Sequence, residues 1–215
     1  MRVVKFLTLI FAAFPVFATS VVNFSVEPTT ALKKSYIHEK DIKWQWMFSG
    51  EYGWMLSDNF SLGANISFAF NLEKDKQTSV GVGTDLIYSK ERIFMLPVSI
   101  FAAVDPVPQY VVHPVVHVVL GYNSVFISNV DYQKDQKVEG ETSEVKSAVE
   151  LYNGYYNGFY TKFGADCMFD VGKKTSLFVG PQWQISTAER RGKGKEVFER
   201  KFNGFGLRVG VSVLL

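Results

Sequence analysis

The stretch from Ile42 to Leu56 reads IKWQWMFSGEYGWML, and its side chains change character residue by residue. Trp44, Trp46, Phe48, Tyr52 and Trp54 fall on one parity, while Lys43, Gln45, Ser49 and Glu51 fall on the other. Only an extended strand turns successive side chains to opposite faces, so this segment has one aromatic face and one polar face. The same period recurs along the chain. Phe60, Leu62, Ala64, Ile66, Phe68 and Phe70 oppose Ser61, Gly63, Asn65, Ser67, Ala69 and Asn71. Val80, Val82, Thr84, Leu86 and Tyr88 oppose Ser79, Gly81, Gly83 and Asp85; Leu177, Val179, Pro181, Trp183 and Ile185 oppose Ser176, Gly180, Gln182, Gln184 and Ser186. Phe205, Leu207, Val209, Val211 and Val213 alternate with Gly206, Arg208, Gly210 and Ser212. No helix of useful length fits between these runs, so the chain is all-β.

The pattern marks strands at Val21–Glu27, Ile42–Leu56, Phe60–Asn71, Thr78–Ser89, Ile93–Val104, Tyr155–Asp170, Thr175–Thr187 and Lys201–Leu215, with Val111–Tyr132 to be added. Taken as one strand, Val111–Tyr132 makes nine. A turn near Gly121–Asn123 makes ten, an even number that returns both termini to one side. Ten is the favoured count. Eight is the alternative, reached if Val21–Glu27 stays unpaired or a segment between 93 and 132 leaves the wall. Connections alternate in length: Ser57–Asn59, Lys90–Arg92 and Gly172–Lys174 are tight, while Leu72–Gln77, Asp105–Tyr110 and Ala188–Glu199 are longer.

The first residues address the compartment. MRVVKFLTLIFAAFPVFATS has Arg2 and Lys5, an apolar run from Phe6 to Ala18, and small residues at Ala18 and Ser20, the layout of a cleavable secretory signal. The expected division is a signal peptide at 1–20 and one domain at 21–215. Without Arg2 and Lys5, basic and acidic residues balance at 21 each, which leaves no basic footprint for nucleic acid. The single Cys167 offers neither a disulfide pair nor a lipid anchor near the cleavage site, and reads as a small apolar side chain.

A soluble two-sheet sandwich also alternates, but its solvent face carries charge and its inner face bulk. Here the polar face is glycine, serine and asparagine, too small for a solvated surface rich in lysine and glutamate. Ten residues separate Trp44 from Trp54, about 33 Å of strand; at a tilt of about 40° this spans roughly the apolar band between the aromatic girdles of an outer-membrane barrel. Trp44, Trp46, Tyr52, Trp54 and Trp183 are therefore expected in a lipid-facing aromatic belt. With the signal segment, the dyad pattern, the belts and a terminal strand GFGLRVGVSVLL, the chain resembles the small bacterial outer-membrane β-barrels, the group of the OmpW, OmpX and OmpA membrane-domain types. That resemblance spans the whole mature chain and implies an antiparallel transmembrane barrel in the outer membrane of a double-membraned bacterium. It also implies outer-membrane lipid and the barrel-insertion machinery as partners. The terminal strand departs from the group's common ending in Phe or Trp, closing instead on Leu215.

By parity the inward face carries Glu27, Lys43, Glu51, Asp85, Lys162, Asp166, Asp170 and Arg208, with His113 and His117 added. Their mixed signs allow two readings: a paired network that holds the wall together, or a narrow pore lined by the same residues. Val111–Leu120 and Phe94–Val104 are apolar on both parities and hold Pro114 and Pro97, which leaves room for a greasy route through the lumen. The surface-protease and lipid A acylase constellations known on barrels are not found, so no enzyme is expected. His38 lies near Glu39 and Asp41 in a loop, where polar residues are ordinarily solvated. His113 and His117 stand about 13 Å apart on one strand face, too far to share a metal, and no cofactor is expected. The favoured expectation is a narrow channel or uptake porin for small solutes, apolar ones included. A non-conducting structural or surface-interaction barrel, acting through the loops Gln133–Glu150 and Ala188–Glu199, is the alternative.

Overall fold

The structure is a computed structural model and describes residues 19–31, 45–71, 76–79, 86–134, 153–191 and 197–215. Lys43, Trp44, Asp85, His38, residues 1–18, most of the Gln133–Glu150 loop and residues 192–196 lie outside them. Ten strand elements are described: β1 Ser20–Ala31, β2 Gln45–Ser57, β3 Phe60–Asn71, β4 Lys76–Ser79, β5 Leu86–Val104, β6 Val112–Lys134, β7 Gly154–Asp170, β8 Thr175–Arg191, β9 Val197–Lys201 and β10 Gly204–Leu214.

These ten elements make eight staves. Each stave pairs antiparallel with the next, and β10 pairs with both β1 and β8, so the sheet closes on itself. The short β4 pairs with β5 in line with β3, and β9 pairs with β8 in line with β10. Closure gives each stave a neighbour on both sides.

The favoured count of ten is therefore corrected to the alternative of eight, for two local reasons. Lys90–Arg92 is no turn: β5 runs unbroken from Leu86 to Val104, and its charged triplet follows a register irregularity between Tyr88 and Lys90. Nor does the chain turn at Gly121–Asn123. Gly121 pairs with Ser99 on one side and Tyr160 on the other, and a Cβ on it would lie 2.3 Å from Ser99 Cβ. The glycine that resembles a turn signal instead permits close approach of two staves.

Losing one turn shifts the alternation of the connections. Asp58–Asn59, 105–111 and 171–174 now share one end of the barrel with Ser20 and Leu214, so Asp105–Tyr110 belongs to the short-turn end. Asn59 Nδ2 donates to Asp105 O at 2.7 Å and Asp105 N to Asn59 O at 2.9 Å, lacing two of these turns together. At the opposite end, β8 reaches Arg191 and β9 resumes at Val197, so most of the expected Ala188–Glu199 loop is hairpin. The barrel's first rung includes Ser20, opposite Trp54, and Thr19 O accepts from Met55 N. The wall thus starts ahead of residue 21.

The alternation sets the two surfaces. Phe24, Phe48, Ile66, Val98, Leu120, Phe163 and Val209 stand exposed on the outside. Tyr52 and Trp183 are exposed there too, while Trp46 and Trp54 are half exposed on the same outward parity. Cys167 is half buried on the outward side of β7.

Candidate functional site: the barrel interior

An eight-stranded barrel encloses a space that side chains can just fill. The inward residues fill it in three tiers, and their chemistry changes from the long-loop end to the short-turn end.

The first tier, toward the long loops, is apolar. Met47, Met95, Val125, Ile127, Tyr156 and Tyr160 have no solvent exposure and form one cluster with Val119, Ile93 and Phe202. β2 and β7 sit four staves apart around the eight, directly across the lumen. Tyr160 Oη on β7 nevertheless donates to Met47 Sδ on β2 at 3.3 Å. Opposite walls touch. Gln45 Nε2 reaches Met95 Sδ at 2.6 Å, and Asn123 Nδ2 donates to Ser186 Oγ at 2.9 Å, so polar groups at this level are joined across staves as well.

The second tier is a charged knot. Lys162 Nζ donates to both oxygens of Glu27, at 2.9 and 2.8 Å, and both side chains are fully buried. Glu27 also accepts from Gln182 Nε2 at 2.9 Å and Ser25 Oγ at 2.9 Å. Arg208 bridges two acids: Nη2 donates to Glu51 Oε2 at 2.7 Å and Nη1 to Asp166 Oδ2 at 2.9 Å. Glu51 is further held by Asn23 Nδ2 at 2.8 Å and Asn65 Nδ2 at 3.1 Å. Ions this deep persist only with close counter-charges and hydrogen bonds, and here residues of six staves supply them. The Arg208 guanidinium also lies 4.6 Å from the centre of the Phe178 ring, so an apolar plane covers a face that water would otherwise solvate.

Below the knot the lumen opens. A cavity of about 200 Å³ reaches the short-turn end, floored by Arg208, Glu51, Asp166 and His117 and walled by Phe101, Phe178 and Met168. His117 Nδ1 lies 3.3 Å from Asp166 Oδ2. His113 Nδ1 lies 2.6 Å from Asp105 Oδ2 and its Nε2 3.6 Å from Asp170 Oδ1. Two imidazoles thus serve two levels, one in the floor and one at the rim.

Of the inward residues expected from parity, Glu27, Glu51, His113, His117, Lys162, Asp166 and Arg208 are buried inside the barrel. Asp170 sits at the mouth, where its Oδ1 accepts from Ser176 Oγ at 2.6 Å. Lys43 and Asp85 fall outside the described residues. Parity could not pair the groups. The Lys162–Glu27 and Arg208–Glu51 contacts join residues 135 and 157 positions apart. Of the inward rings, Phe101 lies in a segment that is apolar on both parities, whereas Phe178 is not among the inward residues expected. Phe178 shares the parity of Ser176 and Gly180, so the alternation of this strand places its ring inside.

The small inward residues find their reason here. A Cβ on Gly63 would lie 2.6 Å from the Phe101 ring, and one on Gly164 would lie 2.4 Å from the His117 ring. Glycines on one stave make room for rings from another. Among the described residues, no group of three or more His, Cys, Asp or Glu side chains is arranged to hold a metal ion.

No protein-family model matches the sequence, and no curated protein sequence matches it. Among solved structures, the chain is similar to Neisserial surface protein A, with 10% identity and a TM-score of 0.49 over 92% of this chain and 96% of that one. It is similar also to the outer membrane protein OprG from Pseudomonas aeruginosa (10%, TM-score 0.48, 92% and 96%). A third likeness is to Ail, the attachment invasion locus protein of Yersinia pestis (10%, TM-score 0.45, 92% and 97%). At such identities and scores, the chemistry of this barrel has to be read from its own residues.

Proposed function

We propose that this chain is an integral β-barrel of a bacterial outer membrane whose axis is sealed by its own side chains. It would serve as a structural or surface-presenting barrel rather than as a channel. The outer surface supports the membrane setting: exposed Phe24, Phe48, Ile66, Val98, Leu120 and Val209 would be untenable together in water and match hydrocarbon. The segment at 1–18 would be the export signal, with cleavage after Ala18 leaving Thr19 and Ser20 to complete the first rung. Short turns would then face the periplasm and the long connections the outside.

The observation that carries the sealed reading is the Tyr160–Met47 contact between diametrically opposed staves, stacked directly beside the fully buried Lys162–Glu27 pair. A solute would have to part both. The interior polar groups are engaged mainly with one another, which supports structural work over catalysis. Refolded protein inserted into planar bilayers is expected to give no defined openings over a range of voltages, while keeping the heat-sensitive gel migration of a folded barrel. Reproducible single-channel steps from the parent protein would overturn the reading in favour of a narrow pore.

A further inference from the structure

We propose that the hairpin of β8 with β9 and β10 is a latched panel of the barrel wall, and that the charged knot is its latch. Both edges of this hairpin lose their backbone ladder on one rung, and ions of the knot stand at the two gaps. The device governs how the wall opens and closes locally, whether or not the axis conducts.

Proline makes the gaps. β1 and β10 keep one register from Val21 opposite Leu214 to Ala31 opposite Gly204, yet the Glu27–Arg208 and Pro28–Leu207 pairs are missing from their ladder. β7 and β8 likewise skip the Ala165–Pro181 and Asp166–Gly180 pairs, with pairing intact on either side at Gly164 and Cys167. A strand proline has no N–H to give, so pairing fails on the side its nitrogen faces. Pro28 still pairs with Trp46 on β2, and Pro181 with Leu207 on β10, so the two nitrogens face β10 and β7. Leu207 is both the partner of Pro181 and the residue that Pro28 fails to pair, which sets the two gaps on one rung. Between them β8 and β10 pair without a gap.

The knot's ions occupy the missing pairs. Across the first edge Arg208 Nε lies 3.7 Å from Glu27 Oε1 and donates to Ser25 Oγ at 3.4 Å. Across the second, Arg208 Nη1 reaches past β8 to Asp166 Oδ2 at 2.9 Å. Gln182 Nε2 adds a tie from β8 to Glu27 on β1 at 2.9 Å. One buried guanidinium thus spans both places where backbone bonds are absent. Hydrogen bonds to charged groups are stronger than neutral ones, so the knot holds what the ladder does not. Pro97 makes a similar break between β3 and β5, but no ionisable residue belongs to its missing pairs, Ser67–Pro97 and Phe68–Leu96. The latch is placed at the panel and not at every proline.

Amide hydrogen exchange of the full chain, refolded in lipid nanodiscs and read residue by residue by NMR, tests the device. Arg208→Met is expected to speed exchange about tenfold or more along the β1–β10 and β7–β8 edges, with β2–β3 and β5–β6 amides changing less than about twofold. Pro28→Val and Pro181→Val, both on the outer face, return the missing donors without touching the knot. Each is expected to slow exchange several-fold at its own edge only. In the Arg208→Met background, Pro28→Val should restore protection between β1 and β10 and leave the β7–β8 edge fast. Uniform acceleration over all staves in folded Arg208→Met would overturn the proposal, since the knot would then serve the whole barrel alike. So would unchanged exchange at both edges in the two proline variants, which decide the matter even if Arg208→Met does not fold.

Discussion

The two halves of the lumen are built from the same kind of wall and do opposite things. Toward the long loops, Met47, Met95, Tyr156 and Tyr160 close the space so completely that opposed staves touch. Toward the short turns, Met168, Phe101 and Phe178 line a cavity of about 200 Å³. The difference teaches that an eight-stranded circumference fixes only the room available, and that side-chain length and reach decide whether it is filled. In the closed half, long side chains arrive from opposite directions and meet. In the open half, the rings lie back against glycines: Phe101 over Gly63 and Phe178 over Gly210, leaving the axis empty.

The boundary between the halves is where the comparison is most easily broken. Lys162→Met takes from Glu27 the nearer of its two cations, leaving only Arg208 Nε at 3.7 Å, in a site with no solvent exposure, and breaking such a pair costs up to about 3–5 kcal/mol. A urea titration of the barrel in liposomes should register that loss. Glu27→Gln added to Lys162→Met should recover a large part of it, because no charge is then left unpaired. Failure of the second change to recover stability would mean that the knot contributes by packing rather than by charge.

The same substitution placed in each half sharpens the contrast. Met47→Ala removes a fully buried side chain that touches the opposite wall, and should cost about 2–5 kcal/mol. Met168→Ala enlarges a space that is already open and should cost under about 1 kcal/mol. Equal costs would show that the two halves are packed alike in solution. Of similar size is the expected contrast between inside and outside. Phe48→Arg, on the outer face of β2, should cost about 2–4 kcal/mol if it meets hydrocarbon near the midplane. Val115→Arg, facing the acidic cavity, should be nearly neutral. A folding titration that ranks the two in reverse would invert the assignment of the faces.

Much of this arrangement was legible in the chain. Alternation at Trp46, Phe48, Tyr52 and Trp54 against Gln45, Ser49 and Glu51 named both faces of β2 correctly, because the pleat allows no other assignment once one face is known. It also placed Lys162, Asp166 and Arg208 inside together. It miscounted the staves where local signals compete with pairing. Lys90–Arg92 reads as a polar turn and Gly121–Asn123 as a glycine turn, yet the first is held straight by its pairing with Ser128–Val130 of β6 and the second by neighbours on each side.

The sequence by itself determined the all-β class, the two faces of each stave and the set of ionisable groups that must face inward, since a strand's period of two is a local property of the backbone. Only the closed barrel decided that Lys162 meets Glu27, that Tyr160 crosses to Met47 and that an acidic cavity remains below Arg208. Those contacts depend on which staves end up opposite one another and at what height. Circumference and stagger are properties of the whole sheet, and no single strand carries them.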